Sequence, residues 1–300
     1  MKKAEEITGR WVSHLLTSRR RATATIHSYA STISAYAAHL GERDPFAVSI
    51  EDMEAWIARP SAKTGALRAP ATVKREADTL RAFYRWCQER GLCNLNPASG
   101  LHGPTVHNDE PSPIPESDWR KMWDDSSGML RLAYGLGFFG GLRRHEILGL
   151  RGMNIGNGEL VHLPRKGGDS DTVEFLVVWD WFKAETPQLT GNVDFPKVLA
   201  SHREAGTALV FADWAASDGI DPNALNKRMT GQCKRLGLPP YTPHQLRHSC
   251  ATYLLRSGWR LELVAHYLNH SSVDVTRRYA KVGGMLAQHL ATLRREMKSR

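Results

Sequence analysis

Apolar residues recur at helical spacing in four segments of the first hundred residues, and glycines and prolines separate the segments. In the last segment, apolar side chains repeat every three or four positions from Val73 to Cys87, as expected of a helix with one side in a core. The pattern therefore predicts a small helical bundle. Its four helices are expected at residues 4–17, 23–40, 49–58 and 71–91.

The pattern changes once in the second part of the chain. Residues 159–164 and 172–178 are rich in β-prone side chains and flank RKGGDSD, whose glycines and aspartates suit a tight turn. They predict a β-hairpin with Lys166 near its tip. The rest is helical in pattern, so the predicted fold class is mainly α with one small β-sheet. Helices are expected at residues 117–125, 128–139, 144–150, 195–205, 221–236, 243–257, 260–268, 272–279 and 284–297.

A proline-rich segment divides the chain. Four prolines lie between Gly103 and Ser117 and favour extended backbone over helix. A chain of 300 residues also exceeds the usual size of one domain. The sequence therefore predicts a helical N-terminal domain at 1–103, a linker at 104–116 and a second domain at 117–300.

Composition narrows the class of protein. Hydrophobic residues make up 41% of the chain and charged residues 24%, as in ordinary globular proteins. No apolar stretch reaches the roughly 18 residues of a membrane span, and the N-terminus is charged. We therefore expect neither a membrane anchor nor a secretion signal. The four cysteines show no CxxC pair and no zinc-ligand spacing, which predicts reduced thiols, no metal and a cytoplasmic protein.

The charge balance suggests a polyanionic partner without proving one. The chain carries 40 basic and 31 acidic side chains, a net charge of +9. On the predicted helix 71–91, Lys74, Arg81 and Arg85 share a face that is not the apolar one. This face suits a phosphate backbone. A solvated helix face, with Asp78 among the cations, is the alternative.

Five side chains that carry charge or transfer protons stand at predicted helix ends or at the hairpin tip. His244 and Arg247 are three residues apart after Pro243, so they share one face of a helix that begins there. Taken alone, a structural histidine beside a surface arginine is the better interpretation of this pair. The five are Arg143, Lys166, His244, Arg247 and His270.

The order and separation of the motifs change this interpretation. GGLRRHEILGLR at 140–151 is similar to the first arginine box of the tyrosine recombinases, the family of phage integrase, Xer and Cre enzymes. PRKGGDSDTVEFLVV at 164–178 resembles the hairpin that presents the family's lysine. TPHQLRHSCATYLL at 242–255 and LNHSSVDVTRRYA at 268–280 resemble the second and the last box. Residues 72–101 are similar to the end of the family's helical, SAM-like core-binding domain.

The resemblance implies transesterification on DNA without water, metal, ATP or any cofactor. Tyr279 would attack a phosphodiester and form a 3′-phosphotyrosyl bond, which preserves the energy for rejoining. Arg143 and Arg247 would hold the non-bridging oxygens, because guanidinium groups donate in a fixed fork and stay charged. A 5′ hydroxyl from another duplex would then attack the phosphotyrosine.

The same resemblance assigns the proton transfers. Lys166 would be the general acid for the leaving 5′ oxygen, and His244 would assist proton transfer from the phenol. His270 would donate a hydrogen bond to the phosphate, and Glu146 would orient the cations. Asn269 departs from the family pattern, since a glycine is common there, and this affects fine geometry more than chemistry.

Exchange between two duplexes needs four active protomers. The resemblance therefore implies a homotetramer on two synapsed core sites of double-stranded DNA, with accessory DNA-bending proteins as optional partners and nucleoid association when bound. The apolar face of the predicted helix 284–297 fits docking on a neighbouring protomer, with packing on its own domain as the alternative. Two other functions stay open: a type IB topoisomerase-like enzyme that rejoins the same strand, and a catalytically silent DNA-binding regulator.

Overall fold

Helices dominate the protein, and the predicted fold class, mainly α with a small β-sheet, is confirmed. The chain divides into two compact units, Met1–Asn108 and Asp109–Arg300, each with its own hydrophobic core. The domain limits predicted from the prolines stay a prediction. The computed structural model describes residues 3–18, 23–62, 64–106, 112–164, 170–216 and 219–269. Several predicted features lie outside the described residues: Lys166, His270, Tyr279 and the helices at 272–279 and 284–297.

The first unit contains the four predicted helices. Ser49 begins the third, since its side chain accepts a hydrogen bond from the backbone nitrogen of Asp52 at 3.2 Å. The longest helix buries Ala77, Leu80 and Tyr84 in the core, as its apolar spacing predicts. The helices are α1 (Lys3–Thr17), α2 (Thr23–Leu40), α3 (Ile50–Ala58) and α4 (Pro70–Glu89).

The second unit is built around a core of aromatic side chains, in which the rings of Trp119 and Phe138 stack at 3.8 Å. Its helices are α5 (Glu116–Asp125), α6 (Gly128–Phe138), α7 (Arg144–Leu148), α8 (Phe175–Glu185), α9 (Pro187–Thr190), α10 (Phe195–Ala200), α11 (Ala224–Arg235), α12 (Pro243–Arg256) and α13 (Leu261–Tyr267). Its strands form two antiparallel pairs, β1 (Leu160–Pro164) with β2 (Ser170–Val173) and β3 (Ala215–Ala216) with β4 (Gly219–Ile220). Short 3₁₀ helices span Gly152–Asn154, Arg203–Ala205 and Ala212–Trp214.

The hairpin is present, but the prediction of a strand over 172–178 is wrong beyond Val173. Helix α8 begins at Phe175, because its apolar residues follow helical spacing and bury one face. A short apolar run is compatible with both strand and helix until its full length is considered. The buried residues of this face are Phe175, Val178, Trp179 and Phe182.

Other differences concern short elements. The helix predicted at 195–205 ends at Ala200 and is followed by a separate 3₁₀ turn. Helix α9 and the β3–β4 pair were not predicted, since elements of two to four residues are too short to show a period. The four cysteines are free thiols. Within the described ranges, no helix combines the length and the apolar character of a membrane span.

Candidate active site

Arg143 lies immediately before α7 and is fixed by Glu146 in the first turn of that helix. One carboxylate oxygen accepts a hydrogen bond from the backbone nitrogen of Arg143 at 2.7 Å, and the other accepts from Nη1 at 3.0 Å. Glu146 is fully buried. A buried carboxylate that caps the helix and pairs with the guanidinium holds Arg143 in one orientation.

Arg247 lies on α12 and is 2% exposed. Its Nη1 donates to the carbonyl oxygen of Gly141 at 2.6 Å, and its Nη2 donates to the carbonyl oxygen of Leu268. Nη2 of Arg143 donates to the next carbonyl oxygen, that of Asn269, at 3.1 Å. The two guanidiniums therefore converge on the backbone directly before His270. Because Arg247 is buried, its interpretation as a surface arginine is wrong.

His244 lies one turn before Arg247 on α12, and its side chain is only partly exposed to solvent. Its ring centroid lies 4.1 Å from that of His248. Desolvation by the surrounding protein lowers the pKa of His244, and the positive charges of Arg247 and Arg143 lower it further. The structure thus brings four of the predicted residues together: Arg143, Glu146, His244 and Arg247.

Asn269 adopts a left-handed backbone conformation, with φ of 46°. It follows the last residues of α13, where helices often end in this conformation. Glycine adopts it without strain, and asparagine is the next most tolerant residue type. The departure from the family pattern is therefore compatible with the same local backbone.

Lys166 lies outside the described residues, in the sequence between β1, which ends at Pro164, and β2, which begins at Ser170. Asn154, which is buried, supports the first strand: its Nδ2 donates to the carbonyl oxygens of Val161 and His162 at 3.0 and 3.3 Å. The strand is irregular there, with φ of 52° at His162. Such irregularities often redirect a strand near a functional site.

The predicted DNA-contacting face of α4 is only partly free. Lys74 and Arg85 are exposed. Arg81 is paired with Asp78 on the same helix. This pair favours the solvated-face interpretation for Arg81, while Lys74 and Arg85 stay candidates.

Sequence analysis missed the groups that fix the turn before Arg143. The carbonyl oxygen of Phe139 accepts a hydrogen bond from the Tyr267 hydroxyl at 2.9 Å and a weaker one from the Cys250 thiol at 3.6 Å. The adjacent glycines Gly140 and Gly141 are the sequence feature that indicates this turn, because glycine adopts backbone conformations that are unfavourable for other residues. Nothing in the sequence marks Tyr267.

We expect Gly141→Ala to destabilise the fold and the site together. Gly141 has φ of 62°, and an added Cβ would lie 2.3 Å from Cδ2 of Leu268. Backbone strain and overpacking should cost on the order of 2–4 kcal/mol of unfolding free energy, measured by urea denaturation. Gly231→Ala is the control, since its Cβ would meet nothing within 4 Å in α11. An equal effect of both changes would contradict a special role of Gly141.

We expect His244 to titrate below the ordinary histidine range and Arg143→Gln to raise its midpoint. Removal of one neighbouring cation makes the imidazolium form less unfavourable, so the pKa must rise. The measurement is an NMR titration of the imidazole Cε1–H signal, assigned by its loss in His244→Asn. If Arg143→Gln leaves the titration midpoint of His244 unchanged, the two side chains do not interact.

Both parts of the chain are similar to known protein families. The model of the "Phage integrase family" matches residues 119–283, and that of the "Phage integrase, N-terminal SAM-like domain" matches residues 9–91. Tyrosine recombinase XerC of Rhodospirillum centenum is 29% identical over 97% of this chain and 85% of its own length. Tyrosine recombinase XerC of Mycobacterium bovis is 29% identical over 87% of this chain and 89% of its own.

Solved structures show the same fold. A lambda integrase dimer bound to a COC′ core site superposes with a TM-score of 0.69 at 18% identity, covering 90% of this chain and 95% of that one. A lambda integrase tetramer bound to a Holliday junction also has a TM-score of 0.69 at 18% identity, covering 89% and 77% of the two chains.

Proposed function

The chain belongs to the phage integrase family and is a tyrosine-type site-specific recombinase, and we propose that it cuts DNA by attack of Tyr279 on a phosphodiester. The reaction is a transesterification: the phenol oxygen bonds to phosphorus, the bond to the 5′ oxygen breaks, and a 3′-phosphotyrosyl link remains. A 5′ hydroxyl of a second duplex then attacks that link and releases the tyrosine.

The observation that carries the proposal is the convergence of Arg143 and Arg247 beside His244. The transition state gathers negative charge on the non-bridging oxygens, and two fixed guanidiniums stabilise that charge without reorganising. The lowered pKa of His244 favours its neutral imidazole, which can accept the proton that the phenol loses. Cations and a neutral base in one place suit phosphoryl transfer to a protein nucleophile.

The other tyrosines of the second unit support Tyr279 as the nucleophile. Burial raises the pKa of each described tyrosine there, which disfavours the phenolate. In three of them the hydroxyl also donates to a protein acceptor, at 2.5 Å to Gln232, 2.5 Å to Asp118 and 2.9 Å to Phe139. These tyrosines are Tyr134, Tyr241, Tyr253 and Tyr267.

The remaining roles complete the proposal. Lys166, which lies between β1 and β2 in the sequence, protonates the leaving 5′ oxygen, and His270 donates a hydrogen bond to the phosphate. Glu146 acts through Arg143, which its carboxylate orients. The position of His270 directly after the two carbonyl groups that the arginines bind supports its place at the phosphate.

The DNA site and the assembly that we propose follow from membership of the phage integrase family. The protein binds a core site in double-stranded DNA through the core-binding domain, residues 1–103, and the catalytic domain, residues 117–300. In the core-binding domain Lys74 and Arg85 contact phosphates. Arg81 is a weaker candidate, because it is paired with Asp78. Four protomers act on two synapsed sites, as the lambda integrase tetramer on a Holliday junction suggests. The segment 284–297 docks on a neighbouring protomer. Because the proposed substrate is DNA, we propose that the protein acts in the cytoplasm, at the nucleoid when it is bound.

A strand-exchange assay tests the function. Fragments of host DNA that become covalently linked to the protein are sequenced to recover the site, and two duplexes of different length carrying that site are then incubated with protein. Products of recombinant length are expected. A supercoiled plasmid that carries the site is incubated in parallel. Its relaxation without recombinant products would favour the topoisomerase-like alternative, and retarded DNA without covalent links would favour the silent regulator.

A further inference from the structure

The first unit contains a buried carboxylate that two arginines share. Glu76 lies on α4 with only 4% of its side chain exposed. Arg59 donates to its two oxygens at 3.0 and 3.4 Å, and Arg68 donates to one of them at 2.5 Å. Both arginines lie in the segment that joins α3 to α4. We call Arg59 and Arg68 the arginine pair. Glu76 is the carboxylate that they share.

Two cations face one anion, so the three side chains carry a net charge of +1. Among the residues that the structure describes, no other carboxylate forms an ion pair with either guanidinium. One arginine is enough to neutralise Glu76, and a second partly buried cation costs desolvation energy unless an anion meets it. The neighbouring sequence adds to the excess, since residues 59–75 contain five basic residues and no acidic one.

Arg59 is held by Trp56 as well as by Glu76 before any ligand binds. Cζ of Arg59 lies 3.6 Å from the ring centroid of Trp56, and Nη1 donates to the carbonyl oxygen of Trp56 at 2.5 Å. Fixed side chains lose little entropy when a ligand arrives. The Arg59 and Arg68 side chains keep 30% and 20% of their surface exposed, so an anion can reach them from solution.

We propose that Arg59 and Arg68, positioned by Glu76, bind a phosphate of the DNA backbone. The inference rests on the proposed function, which makes DNA the substrate. The forked donors of arginine match phosphate geometry, and the single charge of a phosphodiester matches the excess charge of the cluster. Phosphate contacts position a protein without reading bases, so this site strengthens binding to any duplex.

The salt dependence of DNA binding tests this. The full chain is titrated against a fluorescent duplex of about 30 base pairs of arbitrary sequence, a length that provides roughly three helical turns, at several NaCl concentrations. The slope of log affinity against log salt concentration is proportional to the number of DNA phosphates that the protein neutralises. We expect Arg59→Gln with Arg68→Gln to reduce its size by about 0.9, the value for one phosphate. Affinity should fall roughly tenfold, as for a lost charge-assisted contact.

A matched double variant controls for net charge. Lys3→Gln with Arg43→Gln also removes two cations from the first unit, but each of these pairs with one carboxylate of its own, Asp44 or Asp52. This variant is expected to keep the slope of the unaltered protein. An equal loss in both double variants would show a general charge effect and overturn the proposal.

Folding is controlled by a triple variant. Removing both arginines leaves Glu76 buried without a cation, whereas Arg59→Gln, Arg68→Gln and Glu76→Gln together leave no buried charge. Calorimetry shows which variants are folded. If folded variants keep the original slope, the cluster only stabilises the unit and the proposal is wrong. If the unaltered protein does not bind the duplex at all, the proposed function fails instead.

Discussion

Arg247→Lys is expected to slow DNA cleavage by roughly 10²–10³-fold at saturating DNA, the usual loss when one donor to a transition-state oxygen is removed. Arg247 already donates to the carbonyl oxygens of Gly141 and Leu268. A guanidinium can bind these groups and still offer further N–H donors to a phosphate, because it has five donors in a rigid fork. An ammonium group has three donors at a single point and cannot replace that fork.

Arg247→Lys is expected to change the free energy of unfolding less than it changes the activation free energy of cleavage. One carbonyl group near Arg247 loses its donor, which costs about 1–3 kcal/mol of unfolding free energy. Arg256→Lys is the control, since Arg256 lies at the exposed end of the same helix. The measurement is the rate of covalent adduct formation on a nicked duplex that carries the recovered site. If the Arg247→Lys variant is folded and cleaves at the original rate, Arg247 takes no part in catalysis.

Tyr279→Phe is expected to abolish covalent capture of DNA while DNA binding is retained. The change removes only the phenol oxygen, which is the atom proposed to bond to phosphorus. The arginines, His244 and the basic residues of the first unit are unchanged. Gel retardation should therefore show the same affinity, and a denaturing gel should show no protein-linked DNA.

Tyr253→Phe is the matched control for this prediction. Tyr253 is half-buried on α12, and burial raises the pKa of its phenol to about 12. It is therefore a poor nucleophile, and its loss should leave adduct formation intact. Adducts that persist in Tyr279→Phe and disappear in Tyr253→Phe would reverse the assignment.

Sequence patterns predicted the long elements well because each repeats its period several times. The helix α4 shows this, since its apolar positions match the residues that are buried. The hairpin shows the limit. Residues 172–178 have strand composition, yet the spacing of Phe175, Val178 and Trp179 becomes recognisable as helical only when the run continues to Phe182.

The site was predictable as a set of residue types but not as a set of contacts. Spacing placed His244 and Arg247 on one helix face, and this holds. It did not show that Arg247 is buried or that it and Arg143 bind consecutive carbonyl groups, at Leu268 and Asn269. Contacts between α7, α12 and the end of α13 arise from tertiary packing and have no signature in one local segment.

The arginine pair of the first unit illustrates the same limit. Arg81 was a predicted DNA contact because of its place on a helix face, where Asp78 proves to be its partner. Arg59 and Arg68 were not predicted, since they lie outside helices and meet through Glu76. Helical periodicity cannot detect a cluster formed by a loop and a buried carboxylate.

The position of the protein–DNA bond decides whether Tyr279 is the nucleophile. The protein is incubated with a nicked duplex that carries its site, which traps the covalent intermediate, and the linked peptide is identified by mass spectrometry after digestion of protein and DNA. We expect a single modified residue, Tyr279, joined to a 3′ phosphate with a free 5′ hydroxyl on the other side of the break. A link to another residue, or one to a 5′ phosphate, would contradict it.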